Sequence, residues 1–391
     1  MRQYFADLHI HIGRANGHPV KITASEKLTL TEVLEYGKVV KGLDILGIVD
    51  CGSPMVYQDI RNLLDQGILR QTGNGDLMSD QGVMLVMGAE TESSEGAHFI
   101  SYLPNLAALE SWQKIMSGKI KNPNLSTQKA ALKAGDLLKI TRGLEGIFVV
   151  AHAFTPHRGA YGCWVRRLED GFGTQVGQID ALELGLSSDT DMADLIRETR
   201  PYAFLSNSDA HSLPNIGREY NLIRLAEPSF PELKKALVGV EGRRVMANYG
   251  MHPKLGKYHR GYCEICGIIE DSPEPHFTCS SCGRNLITGV WDRIMEIRDY
   301  DEPHHPVGRP PYNYRVPLSF IPGIGPKTYE KLRRGLGTDI AILEKADLDL
   351  IEKLTNIEIK TYIKDMRGNT LNIIPGGGGK YGKIQINNPR N

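Results

Sequence analysis

Over residues 1–250, short uninterrupted apolar runs take turns with stretches whose apolar positions recur at helical spacing. The runs are 42–49 (GLDILGIV), 83–87 (VMLVM), 146–150 (GIFVV), 181–184 (ALEL) and 202–205 (YAFL). A run this short and this apolar predicts a strand buried on both faces. Between the runs, 29–41 places Leu30, Val33, Leu34 and Val40 at helical spacing behind Thr29, a good helix cap, with an acidic first turn. Strand-helix alternation over such a length predicts a parallel α/β sheet or barrel. After Tyr249 the pattern changes. Residues 258–285 hold two CxxC pairs, 303–317 are Pro-rich without periodicity, and 318–367 are helical again. The end, 375–391, opens with Pro-Gly-Gly-Gly-Gly and contains an alternating stretch at 380–386, which predicts a hinge and a short strand. No internal repeat stands out.

At 391 residues the chain exceeds one domain. The pattern divides it into an α/β part at 1–250, a cysteine-bearing part at 251–300 and a helical part at 310–391. Basic and acidic side chains balance at 46 each, so any nucleic-acid surface has to be local. Residues before Met251 carry 26 basic and 29 acidic groups, and the remainder carries 20 and 17. No segment is apolar for the roughly 20 residues of a membrane helix. The opening residues lack the features of a signal peptide, and a cytoplasmic protein is expected.

Polar residues of metal-ligand type fall within or just after nearly every strand. Asp7-Leu8-His9-Ile10-His11 follows a first strand at 3–6. In extended chain His9 and His11 point to one face about 7 Å apart, a spacing that suits a shared metal. His18, Asp50, Cys51, Glu90, His98, His152, Asp209 and His211 add to them, and Glu183 either faces the barrel mouth or supports the ligands or the fold from behind. Singly, each has an ordinary structural explanation. Jointly they suit a multinuclear Zn, Mn or Mg cluster that activates water for phosphoryl displacement, and the ends of α/β strands are where active sites collect.

The order of these motifs, DLHxH, an acidic second motif, Glu then His, a later His and a closing Ser208-Asp209-Ala210-His211, resembles the polymerase and histidinol phosphatase (PHP) family over about residues 4–220. The resemblance implies a distorted (β/α)7 barrel that hydrolyses phosphate esters. It also implies that His9, His11, His18, Glu90, His98, His152, Asp209 and His211 hold metals, with Glu90, His152 and Asp209 at the centre of catalysis. The second motif departs from the family: Val49-Asp50-Cys51 has Cys where a His is usual, so either Cys51 ligates as thiolate or Asp50 takes its place.

The loop at 154–164 (FTPHRGAYGCW) offers His157, Arg158, Tyr161 and Trp164 for gripping a phosphate and stacking on a base. An ordinary loop with Trp164 packed beneath it fits equally well. Arg218 is a further phosphate-binding candidate, or a salt-bridge partner. Cys263, Cys266, Cys279 and Cys282, each pair followed by a glycine, have the spacing of a closed structural zinc ribbon. That ribbon would touch DNA or brace the protein. Phe320 to Lys327 (FIPGIGPK), with Gly323, Gly325 and Lys327 ahead of an amphipathic helix, has the form of a helix-hairpin-helix that presents amides to a DNA phosphate. Lys327, Lys331, Arg333 and Arg334 give it a basic excess over Glu330. The bland alternative is a Gly-Pro turn between packed helices.

Taken whole, the chain is similar to the DNA repair endonucleases of the PHP family. That resemblance implies incision 5′ of deaminated bases (uracil, hypoxanthine, xanthine) and at abasic sites in damaged DNA. The rival expectation is a small-molecule phosphatase of the histidinol-phosphate type with downstream modules for dimerisation; a binding protein with an inactive barrel is a third.

Overall fold

The computed structural model describes residues 1–270 and 272–385. Residues 386–391, the end of the segment read as hinge and strand, lie outside the described residues.

One curled sheet dominates. Its strands are β1 (Arg2–Ile10), β2 (Ile45–Ile48), β3 (Met84–Glu92), β4 (His98–Leu103), β5 (Ile147–Val150), β6 (Ala181–Glu183), β7 (Ala203–Leu205), β8 (Tyr220–Leu225), β9 (Arg244–Gly250) and β10 (Tyr312–Tyr314). They lie in the order β7-β6-β5-β4-β3-β2-β1-β8-β9-β10, with a short hairpin (Leu69–Gln71, Leu77–Ser79) on β3. All the apolar runs of the sequence are strands. The sheet is mixed, however, which corrects the parallel expectation. β1, β2 and β3 run parallel, as do β5, β6 and β7, while β4 is antiparallel to both of its neighbours and β8 to both of its own. The reversal follows from the short link between β3 and β4, since so few residues can only turn back. The Pro-rich stretch at 303–317 is likewise more than a connector, because it contains β10, paired in parallel with β9.

Side chains from β1 through β9 meet in one apolar cluster, including Leu8, Ile45, Val86, Tyr102, Val149, Ala181, Leu205 and Ile223, as they must inside a curled sheet. The outer face is covered by helices: α1 (Leu30–Glu35), capped by Thr29 as expected, α2 (Pro54–Asp65), α3 (Leu106–Met116) and α4 (Ala134–Gly143). Where β7 approaches β8 and β9 the backbone ladder is replaced by two buried amides. Asn221 accepts from the Ser206 amide at 2.9 Å and donates to its carbonyl, and Asn248 donates to the Phe204 carbonyl at 2.9 Å. These bonds satisfy backbone groups that burial would otherwise leave unpaired.

The downstream parts lie against the barrel. Val290, Ile294 and Ile297 of α5 (Val290–Ile297) complete the barrel's outer core. Met251 and Leu255 instead join Leu318, Ile324 and the helices α6 (Pro326–Leu336), α7 (Leu348–Leu354) and α8 (Ile357–Arg367) in a separate core. The cysteine-rich loop between them buries almost no apolar surface, Leu286 being the only aliphatic side chain of its cluster among the described residues. Among the described residues no helix is long and apolar enough to cross a membrane.

Candidate metal centre

At the mouth of the barrel, the inward faces of β3, β4 and β6 turn from apolar to ionisable. Glu90 continues the alternation of Met84 and Val86 on β3, Glu183 that of Ala181 on β6, and His98 precedes Ile100 by two on β4. Because β4 runs backwards, its first residue lies at the end where its neighbours finish. A register irregularity between Asp7 and Ile10 in the β1–β2 pairing lets His9 share a cluster with these residues although Leu8 faces the apolar interior.

Four of the imidazoles are held by their Nδ1, whereas His152 Nδ1 is buried without a hydrogen-bond partner and its Nε2 stands 3.2 Å from Glu90. His9 Nδ1 donates to Glu183 at 3.0 Å, His11 Nδ1 to Asp50 at 2.9 Å, His98 Nδ1 to Glu90 at 3.0 Å and His211 Nδ1 to the Asp209 carbonyl at 3.0 Å. Fixing Nδ1–H leaves the Nε2 lone pair free, which is the arrangement that orients metal-binding histidines. His9 Nε2 is buried with no hydrogen-bond partner. It stands 3.6 Å from both Glu90 and Asp209, while His11 Nε2 stands 3.6 Å from Glu90 and 3.4 Å from Asp209. Ligand atoms about 2.1 Å from a common tetrahedral ion are about 3.4 Å apart, so the donor set fits a metal ion. Among the described residues three overlapping groups can hold one: His9, His11 and Glu90; His11, Asp209 and His211; Glu90, His98 and His152.

The electrostatics follow from charges packed together away from water. Burial pushes Glu90 upward, but His98 and Lys21 outweigh it and hold its carboxyl well below the usual range. Burial likewise opposes ionisation of Asp209, and contacts with His11 and His9 reverse it. His211 is pushed down to about 4 by burial and by His11, which keeps it in the neutral form that ligates. Asp209 and His152 adopt φ of +44° and +27°, a backbone state that costs non-glycine residues energy and that clusters at functional sites.

Several expected residues stand elsewhere. Cys51 is fully buried in the outer core and its thiol donates to the Ile48 carbonyl, so it faces away from the cluster and burial raises its pKa. Asp50 does not replace it as a ligand in any of the three groups. Instead it holds His11 and the Ile12 amide, with Ser126 as a further partner. His18 sits exposed on a small hairpin and joins none of the groups. Tyr161 is fully buried, stacked on Phe154 at 5.0 Å, so its ring is closed to a base, and the half-buried Trp164 packs edge-on to Phe99 and Phe172. Arg218 is spent on the backbone carbonyls of Ser208 and Asp209.

Arg158 does line the mouth, paired with Glu92 at 3.0 Å. The sequence reading missed Lys21, 3.6 Å from Glu90, Thr127, which donates to Glu90, and Lys257 and Tyr258 on the far wall. They come from loops without periodicity, so nothing in the pattern singles them out. Together they bound an open cavity of about 650 Å³ above the cluster.

The four cysteine sulfurs converge within 4.8 Å of one another. The Gly267 and Gly283 amides close the two turns onto the Cys263 and Cys279 carbonyls, with φ of +67° and +70° that suit glycine. Four thiols so placed fit a tetrahedral ion with no open position.

Gly323, Gly325 and Lys327 are exposed together at the start of α6, and Gly323 needs its φ of +87°. A short 3-10 turn (Leu318–Phe320) stands where a first helix was expected. Two of the four basic groups are used internally: Arg333 donates to the Val39 carbonyl and Arg334 pairs with Glu330.

No family model matches the chain. It is 39% identical to the uncharacterized protein YqxK of Bacillus subtilis, over 98% of this chain and all of that one. It shares the same identity with the uncharacterized protein MJ0043 of Methanocaldococcus jannaschii, over 53% of this chain and 28% of that one. Among solved structures it superposes on the lesion-specific endonuclease PfuEndoQ of Pyrococcus furiosus with TM-score 0.86 and 30% identity, covering 98% of this chain and 96% of that one. The chain belongs to the endonuclease Q family. A second endonuclease Q structure, a complex with a 27-mer duplex substrate that has an abasic lesion at the active site, matches with the same score and identity over 97% of its length. The barrel, four-cysteine unit and helical C-terminal part are thus the endonuclease Q architecture, and the histidine-carboxylate cluster is the part of it equipped for hydrolysis.

Proposed function

We propose that this chain is a metal-dependent DNA endonuclease that hydrolyses the phosphodiester on the 5′ side of uracil, hypoxanthine, xanthine or an abasic site. The observation that carries the reading is the convergence of His9, His11, Glu90 and Asp209, each held from behind, beneath an open cavity in a chain of endonuclease Q architecture. Metal ions held by His9, His11, Glu90, His98, His152, Asp209 and His211 would supply activation of water and neutralisation of the phosphate.

The chain's own residues then have distinct tasks. Glu183 and Asp50 keep His9 and His11 in the ligating tautomer. Lys21 and Arg158 put positive charge at the rim, where a phosphate would enter. The amides at the start of α6, with Lys327, hold the DNA backbone without reading sequence. The four-cysteine site takes zinc, the ion that thiolates in this spacing prefer. A lesion reaches the cavity by flipping out of the stack, which is cheapest for a nucleotide that is poorly paired.

The test is incision of end-labelled duplexes carrying one uracil, one hypoxanthine, one abasic site or no lesion, with Zn2+, Mn2+ or Mg2+, beside Asp209→Ala. A single cut 5′ of the lesion, absent in the variant, is expected. Cutting of undamaged DNA at the same rate, or release of phosphate from small monoesters alone, would overturn the assignment.

A further inference from the structure

Asp209 is held at a strained φ of +44°, and what restrains it comes from another part of the chain. Arg218 is almost wholly buried. Its Nε donates to the Ser208 carbonyl at 2.7 Å, one Nη to the Asp209 carbonyl at 3.2 Å and the other to the Tyr381 hydroxyl at 2.7 Å. Tyr381 lies more than 160 residues downstream in a glycine-rich hairpin whose strands, Ile373–Ile374 and Lys383–Ile384, pair with each other. That hairpin is fastened to the chain beside the cavity: the Gly376, Gly379 and Gly382 amides donate to the Lys254, Lys257 and Leu255 carbonyls. The Tyr381 ring touches two further groups. The Lys257 ammonium, on the wall of the cavity, is 4.6 Å from its centroid, and Phe320, just ahead of the exposed glycine turn, meets it edge-on at 6.0 Å. One phenol therefore contacts the support of Asp209, a cation of the cavity wall and the base of the turn proposed to hold DNA.

We propose that Tyr381 is a positioning residue for the metal centre, acting through Arg218 on the turn that carries Asp209. The glycine-rich hairpin is then a brace between the helical C-terminal part and the barrel mouth. A guanidinium with three partners fixes a plane, and losing the hydroxyl leaves the Arg218 side chain free to release the Asp209 carbonyl. This inference rests on the endonuclease reading for its consequence in catalysis, but not for its consequence in metal binding.

The experiment uses the full chain with its cysteine site loaded with zinc, and Mn2+ as the probe, read by paramagnetic resonance without DNA. Tyr381→Phe keeps the ring and its contacts with Phe320 and Lys257. It is expected to weaken Mn2+ binding about tenfold, the low end of losses from disturbing groups behind metal ligands. On abasic duplex kcat falls while KM and the melting temperature hold. Arg218→Lys is expected to lose more, and adding Tyr381→Phe to it to lose nothing further, since both changes cut one path. Unaltered Mn2+ affinity in Tyr381→Phe overturns the proposal, as does a lower melting temperature with affinity intact. Losses that multiply in the double variant overturn the route through Arg218. If the unaltered chain cuts no lesion, the endonuclease reading fails and the Mn2+ titration still decides the brace.

Discussion

At 49–51 an acid and a thiol follow one another into the barrel mouth, and the backbone allows only one of them to face it. Asp50 takes the inward position and holds His11, while Cys51 is turned into apolar packing with its thiol on the Ile48 carbonyl. Cys51→Ala should therefore leave metal content and incision unchanged and cost roughly 1 kcal/mol of stability, the typical effect of a small core deletion. Asp50→Asn should lower metal affinity about 10- to 100-fold through His11 alone. Metal analysis of the two proteins side by side checks both, and loss of metal in Cys51→Ala would restore the thiol as a ligand. Glu219 gives a second residue-level prediction. Its carboxyl is fully buried against the Met251 amide, and burial pushes it up to about 8, with Arg218 opposing and Glu183 and Asp7 reinforcing the shift. Between its ordinary value of 4.5 and about 8 the folded chain keeps a proton that the unfolded chain has released. Stability from this group is therefore present at low pH and is lost as pH rises through that window. Glu219→Gln, a neutral mimic, should match the parent near pH 5 and exceed it near pH 8 in melting temperature; a parallel pair of curves would show that Glu219 is ionised in the fold.

Elements built by short-range pattern were legible in the sequence, and those built by long-range pairing were not. The apolar runs at 42–49 and 146–150, the Thr29 cap and the knuckle glycines Gly267 and Gly283 all follow from local chemistry, and the structure has them in place. The backward course of β4 and the pairing of β10 with β9 depend on which strands meet, which alternation along one segment does not encode. The same division runs through the site. Residues at strand ends, His9, His11, Glu90, His98, His152 and Asp209, could be picked out as a set, whereas Lys21 and Lys257 reach the cavity only because loops fold over it. Tyr161 misled because an aromatic-rich loop reads the same whether its rings are open or packed. The cysteine unit carries its own prediction. With almost no apolar core, its order depends on the ion, so Cys279→Ser or chelation should release amide protection across 260–288 while β1 to β6 stay protected. Hydrogen exchange read by peptide mass checks this, and protection that survives chelation would show that packing alone holds the unit.

Across the whole molecule, the C-terminal helices are fixed to the barrel by buried charge rather than by a linker's reach. Lys41 Nζ, at the end of the segment that follows α1, donates to Asp339 at 2.9 Å and to the Pro214 carbonyl at 2.9 Å, and the Tyr329 hydroxyl donates to the other Asp339 oxygen at 2.8 Å. Glu344 accepts from Arg315 at 2.6 Å and from Tyr220 of β8 at 3.0 Å. Removing one partner of such a pair strands a charge away from water, so Lys41→Met should cost about 3–5 kcal/mol in urea unfolding. Removing both is a different matter, because apolar groups of similar volume need no solvation. Lys41→Met with Asp339→Leu should recover most of that loss, with the orphaned Tyr329 hydroxyl setting what remains. The double variant then separates two roles of the contact. If the pair serves only to hold the parts together, incision returns with stability. If its geometry also sets where the exposed turn at 323–327 stands relative to the barrel mouth, stability returns while cutting becomes slower or moves off the expected bond. Sequencing-gel mapping of the cut ends distinguishes them, and a double variant as unstable as the single one would show that the cost of Lys41→Met was never that of a stranded charge.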